Sequence, residues 1–262
     1  MLKLKEVTGC LEAFAPSHLQ ENYDNSGLIV GDPEMEVNGC IIALDCIEEV
    51  VQEAIEKGIN LIIAHHPIVF SGLKRFNGTN YVQRTVMKAI KHDIAIYAIH
   101  TNLDNVIEGV NQVIGSKLGI ENGKILAPKY KDDENIGAGM YGELSVPMKT
   151  SDFLKMVKDQ FNAGVVRYTN ILKDEVQSIA WCGGSGSFLL EAAKSVKADV
   201  FLTSDFKYHQ FFDAENEVVI VDIGHFEGEQ FTNELISKVL SEKFPKFVIR
   251  FTEVNTNPVN YL

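Results

Sequence analysis

Residues 40–66 read CIIALDCIEEVVQEAIEKGINLIIAHH, and this stretch decides the fold class. Two short, continuous apolar runs, at 40–44 and 61–64, flank a helical segment that begins near Ile47 and ends at Gly58. Apolar runs of this length between helices are typical of parallel strands that are buried on both faces. The stretch therefore predicts a strand–helix–strand unit of an α/β protein.

The same alternation continues on both sides of this unit. A helical pattern precedes it and ends at Pro16, and helices near 81–91 and 106–118 follow it with a strand at 94–99 between them. In the second half, strands are predicted at 140–146, 165–168, 177–182, 199–203, 218–222 and 247–251, and helices near 151–161, 188–196, 207–214 and 229–242. We therefore expect an α/β fold with two similar lobes and mostly parallel sheets.

The boundary between the lobes is predicted from composition. Residues 121–139, ENGKILAPKYKDDENIGAG, mix charge, Pro and Gly without helical or strand periodicity, which is typical of a linker. This gives an N-terminal α/β lobe at 1–120, a linker at 121–139 and a C-terminal α/β lobe at 140–262. The 262 residues are enough to bury a large core.

Composition and charge exclude several classes of protein. The chain is 45% hydrophobic and 23% charged, as in ordinary globular proteins and unlike disordered or fibrous ones. With 36 acidic and 24 basic residues the net charge is −12, which disfavours duplex nucleic acid as a partner. No apolar run is long enough for a membrane span or a signal peptide, so we expect a cytoplasmic protein with no membrane partner. Its four cysteines are expected to be reduced thiols.

Histidines and carboxylates cluster at the ends of the predicted strands. Five of the seven histidines follow predicted strands, namely His65, His66, His100, His209 and His225. The last three each have a carboxylate four residues away, Asp104, Asp205 and Glu229 respectively. Open α/β sheets bind their ligands at the carboxyl ends of the strands. We therefore predict a site at these strand ends, between the two lobes.

A metal centre is the chemistry that such residues favour. Imidazoles together with carboxylates suit Zn, Mn, Fe or Co, and we expect two divalent ions per chain. His65 and His66 are adjacent on an extended backbone and should point to opposite faces, so each is expected to bind a different ion of a close pair. Asp104 and Glu229 can bridge two ions through their two oxygens. His225 lies four residues before Glu229 and would share its helix face.

Short motifs along the chain occur in the order in which one known family has them. They are YDNSGL at 23–28, LD at 44–45, HHPIVF at 65–70, HTNLD at 100–104, WCGGSGS at 181–187, TSD at 203–205 with His209, DIGH at 222–225 with Glu229, and NPV at 257–259. With this set, from about residue 20 to the C-terminus, the chain resembles the GTP cyclohydrolase I type 2 homologues. These are also described as Nif-three-like or dinuclear-metal-centre hexameric proteins.

The resemblance implies a fold, an assembly and a site. It implies two similar α/β lobes, a toroidal homohexamer, and metal ligands at His65, His66, Asp104, His225 and Glu229. It also implies a metal-dependent hydrolase that opens the ring of a purine nucleotide such as GTP. In that reaction the candidate catalytic groups are His100, which would hydrogen-bond a ligand or substrate, and Asp205 and His209, which would move a proton. Some members carry an extra domain in mid-chain, for which this sequence has no room.

Other interpretations remain open from the sequence. The alternatives to a hydrolase are a metal-binding or metal-delivery hexameric scaffold without catalysis and a metal-dependent phosphodiesterase. Five protein ligands for two ions leave coordination positions vacant, which favours catalysis. The glycine-rich run 183–187 is either a tight turn or part of the site wall, and residues 24–27 are either a turn or the site rim. Asp45 is either a partner that orients a histidine or a helix cap. Asp205 and His209 are likewise either orienting partners, a proton-transfer pair or structural hydrogen-bonding residues.

Overall fold

The computed structural model describes residues 2–262. In chain order its elements are β1 (Leu2–Lys3), α1 (Leu4–Phe14), β2 (Gly27–Val30), β3 (Glu36–Val37), β4 (Cys40–Asp45), α2 (Glu48–Lys57), β5 (Leu61–His66), α3 (Tyr81–Lys91), β6 (Ala95–Ala98), α4 (Thr101–Asp104), α5 (Val110–Lys117), β7 (Lys124–Tyr130), β8 (Asp133–Lys149), α6 (Thr150–Gln160), β9 (Arg167–Tyr168), β10 (Glu175–Ser185), α7 (Leu190–Ser195), β11 (Val200–Ser204), β12 (Val219–Asp222), α8 (His225–Glu229), α9 (Thr232–Lys243) and β13 (Ile249–Phe251). Short 3-10 helices lie at Ser17–Leu19, Ser187–Leu189 and Tyr208–Ala214.

The chain divides into two compact units at positions other than those predicted. The first unit consists of the residues up to Leu103 together with Thr232–Pro258, and the second of Asp104–Phe231 with Val259–Leu262. The C-terminal segment joins the first unit because β13 pairs in parallel with β4 and because α9 packs against α1 and β4. Sequence order alone had placed this segment in the second lobe.

The first unit is built on the sheet that residues 40–66 predicted. Its strand order is β13-β4-β5-β6-β2, in which β13, β4, β5 and β6 are parallel and β2 is antiparallel to β6. Apolar residues of β4, β5 and β6, among them Ile41, Ile62 and Ile96, are fully buried. They pack in one cluster with α2 and α3, whose contributions include Val51 and Ala89. Burial on both faces explains why these strands are continuous apolar runs.

The second unit has a mixed sheet, so the expectation of mostly parallel sheets is wrong here. Its strand order is β7-β8-β10-β11-β12-β9, and only β10, β11 and β12 run parallel to one another. The segment 121–139, expected to be a linker, contributes β7 and the start of β8, which form an antiparallel hairpin. A Cβ at Gly137 would lie 2.2 Å from the carbonyl oxygen of Ala127. This glycine therefore allows the two strands to pair closely and is not a sign of irregular chain.

The core of the second unit is centred on the single tryptophan. Trp181 is fully buried on β10, and its indole Nε1 donates a hydrogen bond of 2.7 Å to the carbonyl oxygen of Asn111 on α5. Phe153, Phe161 and Phe201 are also completely buried in this unit. The four cysteines are free thiols, as expected. Within residues 2–262, no helix combines the length and the apolar character that crossing a membrane requires.

Candidate metal centre

Three histidines of the first unit lie together at the carboxyl ends of two neighbouring strands. His65 and His66 are the last two residues of β5, and His100 comes two residues after β6. Because β5 and β6 are parallel neighbours, their carboxyl ends lie at the same edge of the sheet. The ring centroids are 4.9 to 5.3 Å apart, and one potential ligand atom from each residue lies within 4.8 Å of the other two.

The rings of His65 and His66 are closer together than an alternating strand would place them. The prediction that they diverge to opposite faces is therefore wrong, since their centroids are only 4.9 Å apart. The strand ends at His66, directly before Pro67, so no continuing pleat fixes the direction of the second side chain. His100, expected beside the metal ligands, is about as close to both rings as they are to each other.

Each of the two strand-end rings is oriented by a hydrogen bond at Nδ1. His65 Nδ1 lies 2.8 Å from the carbonyl oxygen of Ile99, and His66 Nδ1 lies 2.8 Å from Asp45 Oδ1. Asp45 is the register partner of His66 on β4, and its other oxygen accepts a hydrogen bond from Thr256 Oγ1. Because a carbonyl or a carboxylate only accepts, Nδ1 of each ring is the donor, and Nε2 is the nitrogen through which the ring could coordinate an ion.

The third ring is held by a fully buried carboxylate. His100 Nδ1 lies 2.8 Å from Asp24 Oδ1, and the side chain of Asp24 has no solvent exposure. Asp24 also accepts hydrogen bonds from the backbone N–H and hydroxyl of Thr101 and from Ser26 Oγ. Burial raises the pKa of Asp24, but these hydrogen bonds and His100 outweigh it and lower the pKa far below its usual range. The motif at 23–28 thus supports the site as well as forming a turn.

In the second unit, His225 and Glu229 form a pair on one short helix. They are the first and last residues of α8, and His225 Nε2 lies 3.0 Å from Glu229 Oε2. His225 Nδ1 lies 2.7 Å from Asp205 Oδ2, which also accepts a hydrogen bond from the hydroxyl of Ser185. The i, i+4 spacing brings the two side chains together as predicted, although Glu229 ends its helix instead of opening the last long one.

The charges around His225 favour a cation at this position. Burial lowers the pKa of His225, but the carboxylates of Glu229 and Asp205 outweigh it and raise the pKa to about 11. The hydrogen bond from His225 in turn lowers the pKa of Asp205. Glu229 is buried, with only 3% of its surface exposed. A divalent ion between His225 and Glu229 would balance the same buried negative charge that the proton balances here.

Asp104 and Glu229 both approach the glycine-rich end of β10. Burial raises the pKa of the Cys182 thiol, and the negative charges of Asp104 and Glu229 raise it further, which indicates that both carboxylates are near this thiol. A Cβ at Gly184, where φ is +63°, would lie 2.1 Å from Glu229 Oε1. The run 183–187 therefore packs directly against a candidate ligand, and it is more than a tight turn.

His209 lies apart from the Asp205–His225 pair. It is exposed on the 3-10 helix Tyr208–Ala214, where its ring contacts those of Tyr208 and Phe212. The expected pairing of Asp205 with His209 at i, i+4 is not formed, because Asp205 has a left-handed φ of 60° and no α-helix connects the two residues. Asp205 pairs with His225 instead.

The donor set fits divalent transition metals. Four histidines share the same arrangement, with Nδ1 held by a carbonyl or carboxylate: His65, His66, His100 and His225. Metal-ligating histidines are typically oriented in this way, with Nε2 left to coordinate. The sequence indicated Asp45 and Asp205 as such orienting groups. It gave no signal for the carbonyl of Ile99 or the hydroxyl of Thr256, because these contacts depend on strand register and on the path of the C-terminal segment.

The fold and these strand-end histidines and carboxylates define an α/β protein with candidate metal-binding residues. The family model described as Duf34/NIF3 (NGG1p interacting factor 3) matches residues 2–258, and the chain belongs to this family. A "GTP cyclohydrolase 1 type 2 homolog" of Clostridium acetobutylicum is 35% identical over 249 residues, covering 95% of this chain and 93% of the relative. One of Clostridium perfringens is 36% identical, covering 87% of each.

Solved structures support the same relationship. A Bacillus cereus protein related to NIF3 superposes with a TM-score of 0.94 at 27% identity, covering 100% of this chain and 99% of that one. The resemblance that the ordered motifs indicated is thereby confirmed.

Proposed function

We propose that this protein is a dinuclear-metal-dependent hydrolase. Its metal ligands would be the five residues that the sequence indicated: His65, His66, Asp104, His225 and Glu229. The observation that carries the proposal is the common orientation of the histidines, each with Nδ1 held by a backbone carbonyl or a carboxylate, as is typical of metal-ligating histidines. The name of the relatives, GTP cyclohydrolase 1 type 2 homolog, suggests ring opening of a purine nucleotide as the reaction.

The residues of this chain would position and polarise the reactants. Two divalent ions, when bound, would supply Lewis acidity and lower the pKa of a coordinated water. Asp45 and Asp205 hold the rings of His66 and His225 at Nδ1, so Nε2 is the nitrogen through which each ring would coordinate an ion. His100, held by Asp24, would present its Nε2 to a ligand or substrate. Asp205 is hydrogen-bonded to His225. The exposed His209 is therefore the remaining candidate for a proton-transfer group.

A metal-delivery or metal-buffering scaffold is the second candidate function. The side chain of His225 is 37% exposed, and an ion held there would exchange with solvent more readily than one enclosed by protein ligands. A metal-dependent phosphodiesterase is a third candidate, which the net charge of −12 disfavours for nucleic-acid substrates. The proposal also includes a cytoplasmic homohexamer, for which the mass of the assembly in solution is the direct measurement.

The test is metal content together with turnover. The protein is stripped with a chelator, reloaded with Mn, Zn, Fe or Co, and assayed for bound metal and for activity on GTP and a panel of phosphodiesters. We expect two ions per chain in the natural protein, fewer in His65→Ala and Glu229→Gln, and turnover that these variants lose. His92→Ala, which changes an exposed histidine at the end of α3, is the matched control.

Two results would decide between the candidates. Equal metal content in His65→Ala and His92→Ala would refute the proposed ligands. Two bound ions without turnover on any substrate, combined with transfer of those ions to an apo-enzyme, would favour the delivery scaffold.

A further inference from the structure

A cavity of about 760 Å³ opens in the first unit beside His66. Its walls are the end of β4, the first turns of α2 and α3, and the segment that follows His66. The volume is within the range of small-molecule sites. Because His66 and Asp45 are part of the wall, a molecule bound in this cavity would lie against a candidate metal ligand and against the carboxylate that orients it.

Two aromatic side chains of the cavity wall are exposed. Phe70 is 50% exposed and Tyr81 is 57% exposed, although both line the cavity. The ring of Phe70 lies 6.3 Å from that of His100 and 6.2 Å from that of Tyr23, so it belongs to a row of rings that leads to the histidine cluster. Exposed aromatic faces of this kind stack against planar heterocycles. The stacking is favourable for many different heterocycles, because each of them has a π-face.

The charged groups of the cavity are mostly negative. Asp45, Glu48 and Glu49 line it together with one guanidinium, that of Arg84. Arg84 Nε donates a 2.7 Å hydrogen bond to Glu48 Oε2, so its charge is already balanced. Glu49 is exposed and also lines the cavity. Carboxylates accept hydrogen bonds and repel phosphates, so the cavity favours a ligand edge that carries N–H donors.

The two helix N-termini at the cavity do not reverse this preference. The first turn of a helix attracts anions through its free N–H groups and the helix dipole. Glu48 and Glu49 already place negative charge in the first turn of α2. At α3, the side chain of Asn80 accepts a hydrogen bond of 2.9 Å from the backbone N–H of Gln83. Both helix ends are thus compensated by residues of the chain itself.

We infer that this cavity binds a planar heteroaromatic ring that presents N–H donors and carries no phosphate. The ring would stack on Phe70 or Tyr81, and its N–H edge would face Glu49. The inference rests on the proposed function only in taking this ring as the reacting part of the substrate. A phosphate-bearing substituent would have to lie outside the cavity, and the negative wall would weaken its binding.

Calorimetric titration of the chelator-treated full chain tests the inference, with guanosine, 1-methylguanosine and GTP as probes. We expect guanosine to bind, and 1-methylguanosine and GTP to bind at least tenfold more weakly. Phe70→Ala should weaken guanosine binding about tenfold through lost stacking. Phe76→Ala is the matched control, because Phe76 is 54% exposed on the same segment and lies outside the cavity wall.

A second pair of variants tests the donor edge. Glu49→Gln should weaken guanosine binding severalfold and reduce the discrimination against GTP, because a neutral amide neither attracts an N–H edge as strongly nor repels phosphate. Glu56→Gln, on the exposed part of the same helix and outside this cavity, should leave both unchanged. Circular dichroism confirms that each variant is folded.

Three outcomes would overturn the inference: no guanosine binding, GTP binding as tight as guanosine binding, or equal effects of Phe70→Ala and Phe76→Ala. The failure of the proposed function has a different signature. Guanosine binding by a protein that takes up no metal when it is reloaded would refute the hydrolase and support the cavity assignment. Two bound ions with turnover, but without guanosine binding, would refute the cavity assignment alone.

Discussion

Substitution of Gly184 by alanine is the sharpest structural test of the candidate metal ligands in the second unit. The added Cβ would lie 2.1 Å from Glu229 Oε1 and 3.3 Å from His225 Cε1. To restore an ordinary contact, Glu229 Oε1 would have to retreat by about 1 Å. Glu229 is 3% exposed, so it has little room to do so without leaving His225.

The chain contains a matched control for the backbone cost. Gly184 and Gly58 both have a φ of +63°, but a Cβ at Gly58 would meet no atom within 4 Å. Alanine in this left-handed conformation costs about 1 kcal/mol at either position. Crowding at residue 184 adds about 1–3 kcal/mol, as is usual for overpacking. We therefore expect Gly184→Ala to lower the free energy of unfolding by about 2–4 kcal/mol and Gly58→Ala by about 1 kcal/mol.

The decisive measurement is metal affinity by competition with a chromogenic chelator, alongside urea denaturation for stability. A displaced Glu229 carboxylate should weaken metal binding about 10- to 100-fold in Gly184→Ala. Gly58→Ala should bind metal as the natural protein does. If both variants bind metal equally well while only Gly184→Ala is destabilised, Glu229 is packed against β10 but does not hold a metal.

Three further predictions concern other parts of the second unit. Asp205→Asn should weaken metal binding about tenfold through loss of the carboxylate that orients His225, whereas the exposed Asp213→Asn should not; equal affinities would contradict this role. Trp181→Phe should lower the free energy of unfolding by about 2–4 kcal/mol in urea, because it removes a buried hydrogen bond and leaves a cavity; a loss below 1 kcal/mol would show that the core refills. Burial raises the pKa of Asp199, but a lysine and two backbone N–H donors outweigh it and lower the pKa, so Asp199→Asn should cost about 1 kcal/mol at pH 7. That difference should shrink as the pH falls below about 4 and the natural carboxylate becomes protonated; a loss that does not change with pH would exclude the charge as its cause.

The elements of the first unit could be predicted almost entirely from local sequence. Strand β4, helix α2 and strand β5 lie within one or two residues of the positions that apolar runs and Gly58 indicated. Local sequence was sufficient because these strands are buried on both faces, which requires continuous apolar runs, and because glycine adopts the left-handed helix end without strain.

The hairpin of the second unit could not be predicted in the same way. Strands β7 and β8 are rich in charge and glycine, and on composition they resemble a linker. They are strands because each supplies the other's backbone hydrogen bonds and because Ile125 and Met140, which are register partners, are buried. Pairing of this kind overrides local propensity, since strand preference depends on cross-strand neighbours.

For the candidate site, residue chemistry and strand position were visible in the sequence, and the contacts were not. The sequence indicated which imidazoles and carboxylates follow parallel strands, because the side of the sheet on which they end is a property of the fold class. Spacing alone paired Asp205 with His209. In the structure, the conformation of the chain after β11 lets Asp205 hydrogen-bond to His225 instead.

By itself, the sequence determined the α/β class, the order of most helices and strands, and the chemical type of the candidate ligands. Each of these depends on residues that are neighbours along the chain. Only the tertiary structure decided that β13 joins the sheet of the first unit, that potential ligand atoms of His65, His66 and His100 lie within 4.8 Å of one another, and which acceptor holds each ring. These features join residues far apart in sequence, and their geometry depends on strand register and burial, which no local pattern specifies.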